Sequence, residues 1–235
     1  MEKKVSKMNN KANSLYEHFL NSKEKKLDKW HHYFDIYEEN FKKYKDKDIT
    51  LLEIGVFRGA SLRMWKEYFG KNSKIYGIDI NPECKKYEIE NIKVICGNQS
   101  DPEFLKGVIS EIGKPDIIID DGGHTSNQQI VSYETLYNLM KEEGIYVVED
   151  THTSSWQGWQ DRPDGLTFTD YAGLLSDKLN SWFKVGGESH YRKHPDVRMK
   201  LPVPLIAKNT FSINFYNSMI VFHRKKIKEP YSELR

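Results

Sequence analysis

The chain has 235 residues, a formal net charge of +2 at pH 7 and 30% charged residues. This length suits one sizeable domain with an appended helical segment, and the near-balanced charge gives no electrostatic reason to expect a nucleic-acid partner. Cys84 and Cys96 lack C-x-x-C spacing, which argues against a disulfide framework or a cysteine zinc site. The positive N-terminus precedes no apolar run, and no stretch approaches the roughly 20 apolar residues that span a bilayer, so we expect a cytoplasmic protein without membrane contact.

The N-terminal part divides into two predicted segments. Residues 1–13 are expected to be flexible, and residues 14–47 to form one or two amphipathic helices, because apolar and aromatic residues recur there at helical intervals. Such an aromatic stripe is more typical of a face that packs against the core than of a ligand-binding site. These helices could also cover the active site of a neighbouring copy, so a homo-oligomer is possible. The remaining residues, 48–235, are predicted to form the main domain.

Strands and helices alternate through the first half of this domain. The predicted strands occupy residues 49–56, 74–80, 92–97, 115–121 and 144–150. The predicted helices occupy residues 61–70, 101–113 and 125–144, with Asp101 as an N-cap, Pro102 at the first helical position, and a Thr or Ser cap on the last helix. This alternation predicts crossover units and a mostly parallel sheet with helices on both faces.

The alternation stops after Asp150. A polar and aromatic loop is predicted for residues 151–165, a helix for 166–183, and an irregular proline-containing stretch after it. Two strands around Tyr216-Asn217-Ser218 form a predicted hairpin, so that the last strand runs antiparallel to its partner. The fold class is therefore α/β, a Rossmann-like, doubly wound, mostly parallel seven-stranded sheet with a C-terminal antiparallel hairpin and N-terminal helices.

Ligands of such sheets bind beyond the carboxyl ends of the strands. The first strand is followed by Gly55 and Gly59 without the middle glycine of a dinucleotide loop, which favours a nucleoside without a pyrophosphate. Asp79 ends the second strand where an acid can bind ribose hydroxyls, although a surface or capping role is the alternative. Asn98, Gln99 and Ser100 follow the third strand, near the expected adenine edge.

Five sequence stretches together resemble a known family. They are "LLEIGVFRG", "IYGIDI", "GNQSD", "IIIDDGGH" and "YVVEDTHTSSW". The combination resembles the class I S-adenosylmethionine-dependent methyltransferases. More narrowly, it resembles the metal-dependent sugar O-methyltransferases related to the macrocin and mycinamicin enzymes, with a cephalosporin-hydroxylase-like subgroup nearby. The likeness covers roughly residues 28–224, and Gly123 stands where the family often has serine.

The resemblance implies specific roles for individual residues. It implies a cofactor site lined by Glu53, Gly55, Asp79, Gln99 and Asp120, a magnesium site of Asp121, Glu149 and Asp150, and a catalytic base at His124. Further cofactor-site candidates from the same loops are Arg58, Ile80, Asn98 and Ser100. Asp121 is expected to take part in catalysis through the metal.

The chemistry explains why acidic residues would cluster there. The fourth and fifth strands should be neighbours about 4.8 Å apart, which brings Asp121 to the Glu149-Asp150 pair. Oxygen ligands without cysteine select a hard ion such as Mg²⁺ or Mn²⁺, and a bound metal lowers the pKa of a hydroxyl group. His124 could then remove the proton, although a polar cap near the strand end is the alternative.

The substrate side is less sharply defined. His152, Trp156 and Trp159 are candidate acceptor contacts, and the tryptophans could equally be buried anchors. The predicted function is methylation of a sugar hydroxyl on a nucleotide-linked sugar, a surface polysaccharide precursor or a glycosylated natural product. The alternatives are another small hydroxyl or amino acceptor, such as a catechol-like ring, and a non-methylating hydroxylase-like or binding protein.

Overall fold

A seven-stranded sheet forms the centre of the computed structural model, which describes residues 14–22 and 27–235. Its strands are β1 Thr50–Ile54, β2 Lys74–Asp79, β3 Ile92–Cys96, β4 Ile117–Asp120, β5 Ile145–Val148, β6 Thr210–Tyr216 and β7 Met219–Arg224. The strand order is β3-β2-β1-β4-β5-β7-β6. Strands β1 to β5 are parallel, and β7 runs antiparallel to both β5 and β6. The predicted fold class, including the closing hairpin and the pairing of β4 with β5, is confirmed.

Eight helices surround the sheet in the described part of the chain. They are α1 Leu15–Asn21, α2 Tyr33–Phe41, α3 Ala60–Phe69, α4 Pro102–Ile112, α5 Ser126–Leu136, α6 Phe168–Lys178, α7 Ser181–Tyr191 and α8 Leu205–Asn209. The predicted cap Asp101 accepts hydrogen bonds from the backbone N–H groups of Glu103 and Phe104. Thr125 caps α5 and forms a reciprocal capping box with Gln128.

Strands β4 and β5 in the middle of the sheet are buried along their whole length because both faces of the sheet are covered there. Ile117 and Ile119 of β4 point into one hydrophobic core, and Ile118 between them points into the other. All three side chains are fully buried. Alternating side chains therefore serve two cores, which accounts for the continuous apolar run in this strand.

The N-terminal helices pack directly on the first of these cores. Phe34 and Phe41 of α2 are buried together with Trp65 and Phe69 of α3. The predicted aromatic packing face is thus present. The division of the chain at residue 47 stays a prediction, and the expected flexible segment 1–13 lies outside the described residues.

Three predicted elements differ from the structure. The helix predicted to reach residue 144 ends as an α-helix at Leu136 and closes with a 3-10 turn, Tyr137–Leu139. The chain leaves the helix there because the backbone N–H of Lys141 bonds to the carbonyl oxygen of Pro115, two residues before β4. The helix predicted for 166–183 is divided into α6 and α7, where the Ser181 hydroxyl bonds to the Lys178 carbonyl. The loop 151–165 contains two short 3-10 helices, Thr151–Ser155 and Gln157–Trp159.

None of the helices in the described ranges combines the length and the apolar character that crossing a membrane requires.

Candidate functional site

A cavity of about 390 Å³ opens at the carboxyl ends of β1, β2 and β3. Five of the predicted cofactor-site residues line it, namely Gly55, Asp79, Ile80, Asn98 and Gln99. The side chains of Phe57 and Ile80 in this lining are 69% and 70% exposed, so flat apolar surface is available to a ligand. The position matches the crevice in which α/β sheets bind their ligands.

Gly55 sets the shape of this cavity. Its φ angle is +95°, and a Cβ atom at this position would lie 2.0 Å from the backbone carbonyl oxygen of Asp121. The loop after β1 therefore touches the backbone of the loop after β4. Only glycine permits both the left-handed conformation and this close approach.

Asp79 organises the same loop. Its Oδ2 atom accepts hydrogen bonds from the backbone N–H groups of Val56 at 3.0 Å and Phe57 at 2.9 Å, and its Oδ1 atom accepts one from Asn81 at 2.8 Å. Partial burial favours the protonated form, but these three hydrogen bonds outweigh it and hold the pKa of Asp79 below its usual value. Asp79 is therefore an ionised carboxylate that fixes the loop and faces the cavity.

Two predicted cofactor residues, Glu53 and Asp120, are fully buried and do not line the cavity. Glu53 accepts hydrogen bonds from the Ser61 hydroxyl and the Trp65 indole, and Gln99 donates to Asp120. Burial raises the pKa of both carboxyl groups to about 7. They support the loops that form the cavity.

The last two predicted cofactor residues, Arg58 and Ser100, also lie outside the cavity lining. The Arg58 side chain is exposed, and its guanidinium carbon lies 4.9 Å from the centre of the Phe57 ring. The backbone N–H of Ser100 donates a hydrogen bond to the Asn98 side chain.

The raised pKa of Glu53 predicts a pH effect on stability. The ordinary pKa is 4.5 and the folded-state pKa is about 7, so the folded chain holds this proton more tightly than the unfolded chain. The contribution of this bound proton to the free energy of unfolding is therefore complete below pH 4.5 and is lost as the pH rises through 7. Replacing Glu53 with Gln should make the variant gain roughly 2–3 kcal/mol relative to the original chain between pH 5 and pH 8.

Urea unfolding of the metal-free proteins at both pH values measures this difference. Glu111→Gln, at an exposed position of α4, is the matched control and should show no such gain. An equal stability difference between the Glu53 variant and the original chain at both pH values would contradict the prediction.

A second cluster lies beside the cavity, between the ends of β4 and β5. Asp121, His124 and Asp150 each offer one donor atom, and the three atoms lie within 4.8 Å of one another. His124 Nε2 is 3.7 Å from Asp150 Oδ2. Two carboxylates and an imidazole in this arrangement fit a divalent cation, and the carboxylate oxygens suit Mg²⁺. Asp121 also lines the cavity, so the two sites share a wall.

The backbone is strained at two members of this cluster. The φ angle is 58° at His124 and 54° at Asp150. Both lie in the left-handed region, which residues other than glycine rarely adopt. The Thr153 hydroxyl lies 2.9 Å from the carbonyl oxygens of both residues and joins the two loops. Non-glycine residues retained in this conformation are characteristic of functional sites.

Glu149, the third predicted metal ligand, points into the protein. It is 1% exposed, and its two carboxylate oxygens accept hydrogen bonds from Lys29 and from the Tyr37 hydroxyl. Burial and the neighbouring Asp121 raise the pKa of Glu149, and the Lys29 ammonium opposes this effect. The structure thus brings Glu149 next to Asp121 but outside the three-donor group of Asp121, His124 and Asp150.

Exposed aromatic rings extend from the cluster. The ring centres of Trp30 and His152 are 6.0 Å apart, those of His152 and Trp156 4.5 Å, and those of Trp156 and Trp159 5.3 Å. Trp30, Trp156 and Trp159 are 55%, 48% and 37% exposed, so none of them is a buried anchor. We call these four residues the aromatic row.

The N-terminal segment supplies site residues that the sequence reading did not assign. Lys29 contacts Asp121 and Glu149, the Tyr33 hydroxyl donates to Asp150 Oδ1 at 2.8 Å, and Trp30 belongs to the aromatic row. A sequence signal for this contribution exists in Tyr33 and Tyr37, which lie four residues apart and therefore on one face of the helix. Tyrosines in an otherwise apolar stripe carry hydroxyls that need partners when they are buried.

The chain is similar to known methyltransferases. Residues 52–151 match a family described as a methyltransferase domain. The chain is 38% identical over 207 residues to 8-demethyl-8-alpha-L-rhamnosyl tetracenomycin-C 2'-O-methyltransferase of Streptomyces olivaceus, covering 84% of this chain and 52% of that protein. It is 36% identical over 141 residues to mycinamicin VI 2''-O-methyltransferase of Micromonospora griseorubida, covering 57% of this chain and 35% of that protein.

A solved structure is similar over almost the whole chain. It is the MycE methyltransferase from the mycinamycin biosynthetic pathway in complex with Mg, SAH and mycinamycin VI. The TM-score is 0.77 at 26% identity, and the match covers 94% of this chain and 55% of that chain. The chain therefore spans about half the length, or less, of the relatives that it matches. The resemblance predicted from the sequence motifs is confirmed.

Proposed function

We propose that this chain, whose residues 52–151 match a methyltransferase domain, transfers a methyl group from S-adenosylmethionine to a sugar hydroxyl with the help of Mg²⁺. The observation that supports this most strongly is the shared wall between the nucleoside-sized cavity and the cluster of Asp121, His124 and Asp150. A methyl donor in the cavity would thereby adjoin a metal-bound acceptor. The relatives with sugar substrates in their names support the acceptor class.

The cavity residues suit the nucleoside part of S-adenosylmethionine. Asp79 is an ionised acceptor for ribose hydroxyls, and Phe57 and Ile80 offer apolar surface to an adenine ring. The loop after β1 has Gly55 for a close approach but lacks the middle glycine of a pyrophosphate-binding loop. When bound, this cofactor supplies an electrophilic methyl group on a sulfonium.

The acidic cluster suits the acceptor half of the reaction. Asp121 and Asp150 would hold Mg²⁺, with Glu149 beside them, and the bound ion would lower the pKa of an acceptor hydroxyl. His124 is the proposed base. Its Nδ1 atom is buried and has no hydrogen-bond partner among the described residues, and its Nε2 atom faces Asp150. In this proposal Asp121 and Asp150 hold the ion through their carboxylate oxygens, so that His124 stays beside the metal-bound acceptor and is not bound to the metal.

The aromatic row provides the proposed acceptor contacts. The apolar face of a sugar ring packs well on exposed aromatic rings. His152 Nδ1 lies 4.0 Å from Asp150 Oδ1, and Trp156 and Trp159 continue the row from His152. The acceptor could be a nucleotide-linked sugar, a polysaccharide precursor or a glycosylated natural product, and the relatives favour the last. We expect the reaction in the cytoplasm, on small molecules rather than nucleic acid, and a homo-oligomer is compatible with it.

The test is calorimetric titration of the metal-stripped chain with S-adenosylhomocysteine, followed by a methylation assay on a panel of hydroxylated acceptors with and without Mg²⁺. Binding near micromolar, and methylation of glycosides only with Mg²⁺, are the expected results. Methylation of catechols but not glycosides would favour the runner-up acceptor class. No binding of S-adenosylhomocysteine would contradict the proposed activity altogether.

Replacing His124 with Ala should lower turnover of the acceptor about a hundredfold or more, with little change in the affinity for S-adenosylhomocysteine. The reason is that the substitution removes the proposed proton acceptor but leaves the cavity lining intact. Initial rates across pH 6 to 9 measure the effect. Unchanged turnover would exclude His124 as the base, and Lys193→Ala at an exposed site is the surface control.

A further inference from the structure

We infer that Lys29 is a built-in cation of the acidic cluster, which positions Asp121 and Glu149 and shares them with the divalent ion. The inference rests on the proposed Mg²⁺ site and assigns a role to a lysine from outside the sheet. Lys29 is a positioning residue in this proposal, since it would act through the carboxylates and not on the substrate.

The geometry of Lys29 is specific. Its Nζ atom lies 2.5 Å from Asp121 Oδ2 and 2.7 Å from Glu149 Oε2, and its side chain is only 3% exposed. The ammonium is therefore fixed between Asp121, which would hold the metal, and the buried carboxylate of Glu149 beside it.

The segment that carries Lys29 is fastened at several points. The Tyr33 hydroxyl bonds to Asp150 and to Ser218, and the Tyr37 hydroxyl bonds to Glu149. His32 contacts the Asn217 carbonyl oxygen at 2.9 Å. Because these neighbouring residues are held on the loops around the cluster, the backbone at Lys29 is kept close enough for its ammonium to reach Asp121 and Glu149.

The ammonium and a metal can share these carboxylates. Lys29 pairs with Oδ2 of Asp121, so the second carboxylate oxygen of Asp121 and the carboxylate of Asp150 are left for the divalent ion. The inner side of the cluster is thus neutralised by the protein itself, and the outer side is left for the divalent ion. The metal then binds next to a positive charge, which weakens its binding but keeps the metal-free cluster from repelling itself.

This arrangement predicts how the loss of the Lys29 charge would change the affinity for Mg²⁺. Removing the ammonium should tighten Mg²⁺ binding, because the carboxylates lose their internal counter-ion and the metal loses a like-charged neighbour. A side chain that acted only by filling space would have the opposite effect or none. The metal-free chain should at the same time become less stable.

The experiment compares Lys29→Met and Lys29→Gln with the original chain. Methionine matches the length of the lysine stem, and glutamine keeps a hydrogen-bond donor without charge. Lys106→Met is the matched control, because Lys106 also pairs with a carboxylate, that of Glu103, but at the exposed surface of α4. Calorimetric titration of the metal-stripped proteins with MgCl₂ gives the dissociation constants. Thermal unfolding with and without MgCl₂, and titration with S-adenosylhomocysteine, use the same samples.

The expected result is a roughly tenfold tighter Mg²⁺ dissociation constant in both Lys29 variants and an unchanged one in the control. The melting temperature of the metal-free variants should fall and recover with Mg²⁺. Variants that fold only when Mg²⁺ is present would also support the inference. An unchanged or weakened Mg²⁺ affinity in folded variants would overturn it, as would variants that fold under neither condition.

The same titrations separate this inference from the proposed function. If the original chain binds S-adenosylhomocysteine but no Mg²⁺, while the Lys29 variants bind Mg²⁺, the inference stands and the proposed metal dependence fails. If the original chain and the variants bind Mg²⁺ equally, the metal dependence stands and the inference fails. If no protein binds Mg²⁺, both fail.

Discussion

Replacing Asp121 with Asn is expected to lower methyl transfer about a thousandfold while changing the affinity for S-adenosylhomocysteine less than about threefold. Asp121 belongs to the three-donor cluster and pairs with Lys29, so the loss of its charge removes a metal ligand. The substitution keeps the shape of the side chain that lines the cavity. Single-turnover rates at saturating Mg²⁺ and calorimetry of the cofactor product measure the two quantities.

Asp101→Asn is the matched control for this change. Asp101 caps α4 away from the cluster, and asparagine is an equally good helix cap, so both activity and stability should be unchanged. If Asp121→Asn instead destroyed cofactor binding and left Mg²⁺ binding intact, the assignment of Asp121 to the metal would be wrong.

Replacing Gly55 with Ala is expected to abolish cofactor binding and to destabilise the fold by about 3 kcal/mol or more. The added Cβ would meet the Asp121 carbonyl oxygen at 2.0 Å, in a backbone conformation with φ of +95°. The clashing atom belongs to the backbone, so the loop after β1 must move away from the loop after β4. The cavity and the neighbouring cluster would both lose their shape.

Gly107→Ala provides the comparison within the same chain. Gly107 lies on the exposed face of α4, and an added Cβ would have no heavy atom within 4 Å. That substitution should stabilise the protein by about 0.5–1 kcal/mol, because alanine favours a helix. Denaturant unfolding and S-adenosylhomocysteine titration of both variants measure the contrast. Normal cofactor binding in the Gly55 variant would show that the two loops can separate without consequence.

The sequence was sufficient for the sheet and for the edge that bears the site. Apolar runs that end in Gly55, Asp79 and Asp121 identify parallel strands and the residues at their carboxyl ends. Local capping rules also located the starts of α4 and α5, since these depend on neighbours within three residues. Helix ends were less accurate because tertiary hydrogen bonds, such as the one from Lys141 to Pro115, decide them.

The contribution of the N-terminal segment could not be read from the sequence in the same way. Lys29 meets Asp121 across 92 residues and Glu149 across 120, and no local pattern specifies such a pairing. The burial of Glu53 and Asp120 could not be read from the sequence either. Their order in the chain places them at strand ends, but only the packed structure shows that they face inward while Asp79 faces the cavity.

The turn between β6 and β7 has a consequence for how the protein forms. Ser218 joins the site through Tyr33 and through the backbone N–H of Thr151, and the first of these contacts closes a loop of 185 residues. Closing so long a loop costs conformational entropy. We expect such contacts to form late in folding, when the rest of the sheet has already brought the two segments together. We therefore expect the cofactor crevice, whose lining ends at Gln128, to form before Ser218 meets Tyr33 and Thr151. The loop that carries Asp150 would be among the last parts of the site to take its final shape.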